Sequence, residues 1–275
     1  MSARDLYSSG QLSEAIDAQN AAVRTKPSDI EERSFLCELL CLVGNLDRAD
    51  AQCETISRMD PSSGPSLNLV RQLIRAEKTR QEIHREGRSP EFLGDPPEHL
   101  QLLLKAKTAL REGDESEAAR LAADAEEKRP VLGGRSIIAD ATTEFDDFRD
   151  LDDLSGGVVE VLTSTGRVMW IPLEQIDEVD FDAPERPLDL LWRAATMNVR
   201  EGPEGKVYLP AVYTAPDELM DDAARLGKRT DWISAADGKL ISGLGMRTYL
   251  VGEEPKTLLE LERLEFNAAS SGADS

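Results

Sequence analysis

Apolar and small residues recur at helical spacing through roughly the first 130 positions and then give way to short alternating runs, so the chain divides by pattern alone. Phe35, Leu36, Leu39, Leu40 and Val43 form one helical stripe, and Ala49, Cys53 and Ile56 form another, which predicts a pair of antiparallel helices. The pair belongs to a repeat. Gly10-Gln-Leu-Ser-Glu-Ala15 and Gly44-Asn-Leu-Asp-Arg-Ala49 stand 34 residues apart, and the prolines that follow, Pro27 and Pro61, keep that offset. Gly113-Asp-Glu-Ser-Glu-Ala118, closed by Pro130, is a third copy whose glycine lies 69 residues after Gly44. Gly ends one helix where a positive φ costs little, Ala lets two helices approach, and Pro ends the second helix. A spacing of 34 residues is the period of the tetratricopeptide helix-turn-helix unit.

Between the second and third copies the pattern predicts a long helix from about Ser66 to Gly87, with Leu69, Leu73 and Ile74 facing inward. A break follows at Gly94-Asp-Pro-Pro97, then a helix from His99 to Arg111. One more helix is expected near Ala141 to Arg149, and the stacked hairpins are expected to hold open a groove and to need a capping element. From Gly156 onward the runs Val158–Thr163, Arg167–Pro172, Ala194–Arg200, Lys206–Tyr213 and Arg247–Val251 read as strands. Glu201-Gly-Pro-Glu-Gly205, Ser164-Thr-Gly166 and Ala236-Asp-Gly238 read as turns between strands, and Thr257–Phe266 as a short helix or final strand. The expected fold is α+β in two domains: a tetratricopeptide-like α-α superhelix over 1–150, a small barrel-like β-rich domain over 151–266, and a disordered tail over 267–275.

Charge narrows the partners. With 32 Lys and Arg against 53 Asp and Glu, the formal charge is -21, which opposes nucleic-acid binding. No run of about 18 apolar residues occurs and Met1–Gly10 lacks a secretory pattern, so a cytoplasmic protein without membrane insertion is expected. Residues 64–90 stand apart: Arg71, Arg75, Lys78, Arg80, Arg85 and Arg88 outnumber Glu77, Glu82 and Glu86. Arg71, Arg75 and Lys78 share a helical face, readable as intramolecular pairing with acidic neighbouring helices or as a groove wall for a partner's carboxylates. Partner contact is assigned to these three residues together with Leu36 and Leu40.

Chemistry finds little support. Cys37, Cys41 and Cys53 lack any CxxC pair and fall on apolar faces, as buried thiols do. His84 and His99 sit among charged neighbours, as solvated helix positions do. Gly243-Leu-Gly245 lacks the third glycine of a dinucleotide loop and reads as a bend in a strand. With Asp150 at position one of a calcium loop, Leu154 falls at five and Ser155 at six, so the acidic run Asp146–Asp153 reads as a solvated linker. Trp170, Trp192 and Trp232 all lie in the β-rich part, as core or half-buried packing residues or as a peptide-binding surface. No catalytic, cofactor or metal residues are expected; the enzyme alternative would centre on Trp192, Arg193, Tyr208, Tyr213 and Arg247.

Arg186-Pro-Leu-Asp-Leu-Leu-Trp192, Gly202-Pro-Glu-Gly-Lys-Val-Tyr-Leu-Pro210, Tyr213, Asp231-Trp232 and Gly243-Leu-Gly-Met-Arg-Thr-Tyr-Leu-Val-Gly252 together resemble the ImpE family, also called TagJ or SciE-type. Leu6-Tyr-Ser-Ser-Gly-Gln-Leu-Ser-Glu-Ala-Ile16 resembles that family's N-terminal opening, so the likeness covers nearly the whole chain. The resemblance implies a non-enzymatic accessory protein of the bacterial type VI secretion system. It further implies binding to the N-terminal helix of the sheath subunit TssB, and through it a link to sheath recycling by the ClpV ATPase. A general tetratricopeptide scaffold or chaperone for another cytosolic peptide is the alternative.

Overall fold

Each Gly, Ala and Pro signature marks one helical hairpin in the computed structural model, which describes residues 1–139 and 141–268. Helix α1 (Ala3–Ser8) pairs with α2 (Leu12–Thr25) and α3 (Ile30–Leu42) with α4 (Leu46–Met59). The long α5 (Gly64–Glu86) follows, and then the pair α6 (Glu98–Arg111) and α7 (Glu115–Lys128). Gly10, Gly44 and Gly113 stand inside the hairpin turns at φ of +87°, +80° and +84°, the left-handed conformation that only glycine adopts without strain. Ala15, Ala49 and Ala118 have no exposed surface, because a larger side chain would hold the paired helices apart. Helix α5 has no hairpin partner, and its 23 residues explain why the third signature arrives two periods after the second instead of one.

The strands start where the helices stop. They are β1 (Gly134–Ile138), β2 (Ala141–Phe145), β3 (Phe148–Asp150), β4 (Val158–Thr163), β5 (Val168–Pro172), β6 (Ile176–Phe181), β7 (Trp192–Val199) and β8 (Glu204–Pro210). After the short helix α8 (Asp222–Arg225) come β9 (Thr230–Ala235), β10 (Leu240–Gly245), β11 (Thr248–Val251), β12 (Glu254–Thr257) and β13 (Arg263–Phe266). An eight-stranded antiparallel sheet runs in the order β2-β1-β13-β6-β7-β8-β4-β5, flanked by the smaller sheets β12-β11-β3 and β10-β9. The β5 edge does not stay open: Trp170 N–H donates to the Glu91 carbonyl at 2.9 Å and Glu91 N–H to that of Val168 at 3.3 Å. The expected turns at 164–166, 201–205 and 236–238 join β4 to β5, β7 to β8 and β9 to β10. Of the expected disordered tail, Asn267 and Ala268 are exposed and without regular structure, and 269–275 lie outside the described residues.

Two expectations for residues 141–153 are overturned. The helix near 141–149 is instead β2 and β3, because Phe145 and Phe148 belong to an aromatic cluster of the sheet: Phe148 stacks on Tyr249 at 5.0 Å and meets Phe266 edge-on at 5.3 Å. Nor is the acidic run a solvated linker, since Asp150 and Asp152 are buried. Their carboxylates satisfy backbone donors that burial would otherwise orphan: Asp150 accepts from Asp152 N–H at 2.9 Å, and Asp152 from Leu154 N–H at 2.8 Å and Gly243 N–H at 2.9 Å.

Strand β4 joins the two halves. Its residues alternate between faces, Val158 and Leu162 packing toward the helices and Val159 and Val161 into a separate core within the sheet. Leu36, Leu40, Leu73 and Ile74 of the helices form one apolar cluster with Trp170, Leu188, Leu191 and Trp192 of the β-rich part. The groove expected between the hairpins is therefore filled by the chain's own side chains, which also cap the repeat.

Candidate functional site

Helix α5 carries both candidate surfaces, one facing out and one facing in. On its outer face Arg71 makes a bidentate pair with Asp50 of α4, Nε to Oδ1 at 2.7 Å and Nη2 to Oδ2 at 3.1 Å. Lys78 pairs with Asp47 of the same helix, so two of the three face cations have the intramolecular partners that the acidic neighbours suggested. Arg75 differs: its Nη1 donates to Gln72 Oε1 at 3.1 Å, it lies beside the Gly166 turn, and it has no ion pair among the described residues. Leu36 and Leu40 are 2% and 0% exposed and hold the helices together, so a partner cannot touch them while α3 stays packed.

Inward, α5 presents Glu77, Arg80 and His84 to the sheet. Glu160, the one charged residue of β4, points at them because its position shares the helix-facing side with Val158 and Leu162. Its Oε2 accepts from Arg80 Nε at 2.6 Å and Arg247 Nη2 at 3.2 Å, and its Oε1 lies 2.8 Å from His84 Nε2 and 3.2 Å from Trp170 Nε1. Arg80 also binds Glu77 at 3.1 Å and the Val212 carbonyl at 2.9 Å, while Glu77 accepts from Trp192 Nε1 at 3.1 Å. Arg247 completes the cluster by pairing with Asp150 at 3.0 Å, whose other oxygen lies 2.6 Å from the Tyr213 hydroxyl.

Burial works against the charge of Glu160, but Arg80, His84 and Arg247 outweigh it and hold the carboxyl well below the usual range. Burial lowers His84 to about 4 in spite of Glu160, so at neutral pH the ring is uncharged. Its Nε2 then carries the proton donated to Glu160, leaving the Nδ1 lone pair to accept from the Lys107 ammonium at 3.5 Å. Burial raises Asp150 to about 6 against the pull of Arg247.

Both histidines thus depart from the expected solvated positions. His84 has 13% of its side chain exposed and His99 3%, because the β-rich part packs over α5 and α6 where an isolated hairpin would be wet. Trp170 and Trp192 are core residues, with Trp232 left 39% exposed on the hairpin β9-β10. The five residues of the enzyme alternative do not converge. Trp192 faces α5, while its neighbour Arg193 turns to the carbonyls of Asp182 and Leu258. Tyr208 is half-buried elsewhere in the sheet, and only Tyr213 and Arg247 meet. A lone Glu in an otherwise apolar strand run was the signal in the sequence for the buried cluster.

Beside this cluster lies a cavity of about 520 Å³, bounded by the C-terminal ends of α5 and α6, the 213–218 segment and β10. Leu110, Leu154, Pro216 and Ile233 supply apolar wall; Lys107, Thr214 and Arg247 supply polar groups. Among the described residues no three His, Cys, Asp or Glu side chains are placed to hold a metal ion, and no helix is long and apolar enough to cross a membrane.

Helical hairpins closed by an antiparallel β-rich part, with a buried ionic joint between them, define a two-part protein built around an internal interface. The sequence profile of the ImpE protein family matches residues 142–265. A Pseudomonas aeruginosa protein named Type VI secretion system accessory component TagJ is 32% identical to this chain over 268 residues, covering 97% of the chain and 91% of that protein. The chain belongs to the ImpE family. The crystal structure of protein VPA1032 from Vibrio parahaemolyticus, 28% identical, superposes with a TM-score of 0.88 over 96% of this chain and 97% of that one.

Proposed function

We propose that this protein is a non-enzymatic accessory component of a type VI secretion system, acting in the cytoplasm as an adaptor for other proteins of the machine. The observation that carries the reading is the near full-length similarity to the TagJ protein of Pseudomonas aeruginosa. The finer form of the proposal is that it binds the N-terminal helix of the sheath subunit TssB and so modulates sheath recycling by ClpV.

With the interior of the repeat filled, the partner helix is assigned to the outside of the molecule, along the α4 and α5 surface that carries Arg71, Arg75 and Lys78. Charged groups on an exposed surface set register and encounter rate, while an apolar face of the incoming helix supplies contact area. Arg75 is the cation with most to offer, since it gives up no internal carboxylate on binding.

Fluorescence anisotropy with a labelled TssB N-terminal peptide tests this. Saturable binding is expected, weakened about tenfold by Arg75→Glu with an unchanged melting temperature, as the loss of one charge-assisted contact implies. If neither the peptide nor full-length TssB binds, the adaptor reading for this partner fails. Retention of unrelated cytosolic peptides instead would favour the general scaffold.

A further inference from the structure

The cavity beside the buried cluster has a chemistry that the adaptor role does not use. Its cation is Lys107, which reaches in from α6 between the His84 ring and the Trp170 ring, its Nζ 3.5 Å from His84 Nδ1 and 5.5 Å from the indole centre. No carboxylate pairs with Lys107 among the described residues, although the chain carries 53 acids against 32 bases. His84 accepts one of its three protons.

The other charges at the cavity are committed. Arg247 is held by Asp150 and Glu160, Asp217 by Arg85 and Arg225, and both oxygens of Asp152 by backbone N–H groups. Glu218 and Arg111 stand at the exposed mouth. Thr214 and Arg247, which also line this space, each bury a polar atom without any hydrogen-bond partner, Thr214 Oγ1 and Arg247 Nε. A buried polar atom without a partner costs free energy, which a ligand oxygen that reached it would recover.

We infer that this cavity is a binding site for an amphipathic carboxylate, whose charged end meets Lys107 and Thr214 and whose apolar body lies against Leu110, Leu154, Pro216 and Ile233. The volume suits a body of small-molecule size, and most of the wall area is apolar, as in an ordinary ligand pocket. The same chemistry is offered by a free carboxylic acid and by the C-terminus of a peptide with an apolar last residue. Burial disfavours the charged form of Lys107 and lowers its pKa, and an anion beside the ammonium would offset that penalty. Because the walls come from α5, α6, the 213–218 segment and β10, occupancy would brace the joint between the two parts of the molecule.

Isothermal titration of the full chain with octanoate, below its micellar concentration, is expected to show one site. Octanol, with the same chain length and no carboxylate, should bind at least tenfold more weakly. Lys107→Met should weaken octanoate by at least tenfold and Thr214→Val by severalfold; neither residue makes an ion pair. A hexapeptide ending in Leu, compared with its C-terminal amide, separates the sources: tighter binding than octanoate assigns the site to a peptide terminus, weaker binding to a free acid. Reductive methylation of the unaltered protein, read by mass spectrometry, supplies a readout independent of any variant. Octanoate should protect Lys107 and leave the exposed Lys105 reactive. Equal affinity for octanol and octanoate, an unchanged Lys107→Met variant, or an unprotected Lys107 would each overturn the assignment.

Discussion

Glu160 shows how far a single residue's meaning depends on where the chain puts it. In the sequence it interrupts an apolar run; in the structure it is 3% exposed and meets two guanidinium groups, an imidazole and an indole. Replacing it by Gln leaves Arg80 and Arg247 short of a counter-charge away from water, which costs about 3–5 kcal/mol when a buried pair loses one member. Urea unfolding of Glu160→Gln checks this, and a loss under about 1 kcal/mol, the range of exposed pairs, would show that water reaches the cluster. His84 gives a pH dependence with a definite sign. Its folded value, about 4, lies below the unfolded 6.5, so the stability it contributes is full above 6.5 and is lost as pH falls through the folded value. The lost amount is about 3 kcal/mol, taking about 1.4 kcal/mol for each unit. Asp150 acts oppositely, because its folded value is raised to about 6 and acidification relieves its buried charge. The comparison that isolates His84 is the drop in melting temperature from pH 7.5 to about 4.5 in the wild type and in His84→Gln, with a smaller drop expected in the variant. Equal drops would mean that the ring is solvated after all.

At the scale of elements, the hairpins were legible because their punctuation is local. A glycine in the left-handed conformation can be read from residue type and offset, and Gly44→Ala is expected to cost about 1 kcal/mol for forcing a Cβ into that region. Space is not the reason, since the added atom would come no nearer than 3.6 Å to Arg225. Gly64 provides the contrast. It lies in the first turn of α5 with nothing within 4 Å of an added Cβ, so Gly64→Ala should raise stability by about 0.4–1 kcal/mol through the unfolded chain. Thermal melts of the pair test whether backbone conformation, rather than glycine content, sets the hairpins. Strand β4 was legible with its full bounds because it is buried on both faces and reads as an apolar run broken only by Glu160 before its closing Thr163. Strands β2, β9 and β12 were not, since their exposed positions, Trp232 apart, are filled by Ala, Thr, Ser, Asp, Glu and Pro, a composition that loops share. The expected helix at 141–149 failed for a related reason: its acids looked solvated, and nothing local announces that Phe145 and Phe148 meet Phe266 across more than 100 residues.

For the whole molecule the consequence is cooperativity. Helical and β-rich parts share an apolar cluster and an ionic joint, so thermal unfolding is expected as one transition, with the near-ultraviolet signal of Trp170 and Trp192 lost together with helicity. A fragment of residues 1–130 should fold poorly and bind hydrophobic dye, because the inward face of α5 would stand in water; two separate transitions, or a stable fragment, would contradict this. The sequence alone determined the helical period, the turns, the class of the two parts and the family, since these rest on spacing and on residue types whose backbone preferences travel with them. Tertiary structure decided which charges water reaches. Glu160 finds Arg80, His84 and Arg247 at sequence separations of 80, 76 and 87 residues, and the groove that the hairpins could have offered is occupied from the far end of the chain. The physical reason is that a side chain's ionisation and availability are set by the dielectric and the partners around it, and both are assembled by contacts between segments that carry no mark of each other in the sequence.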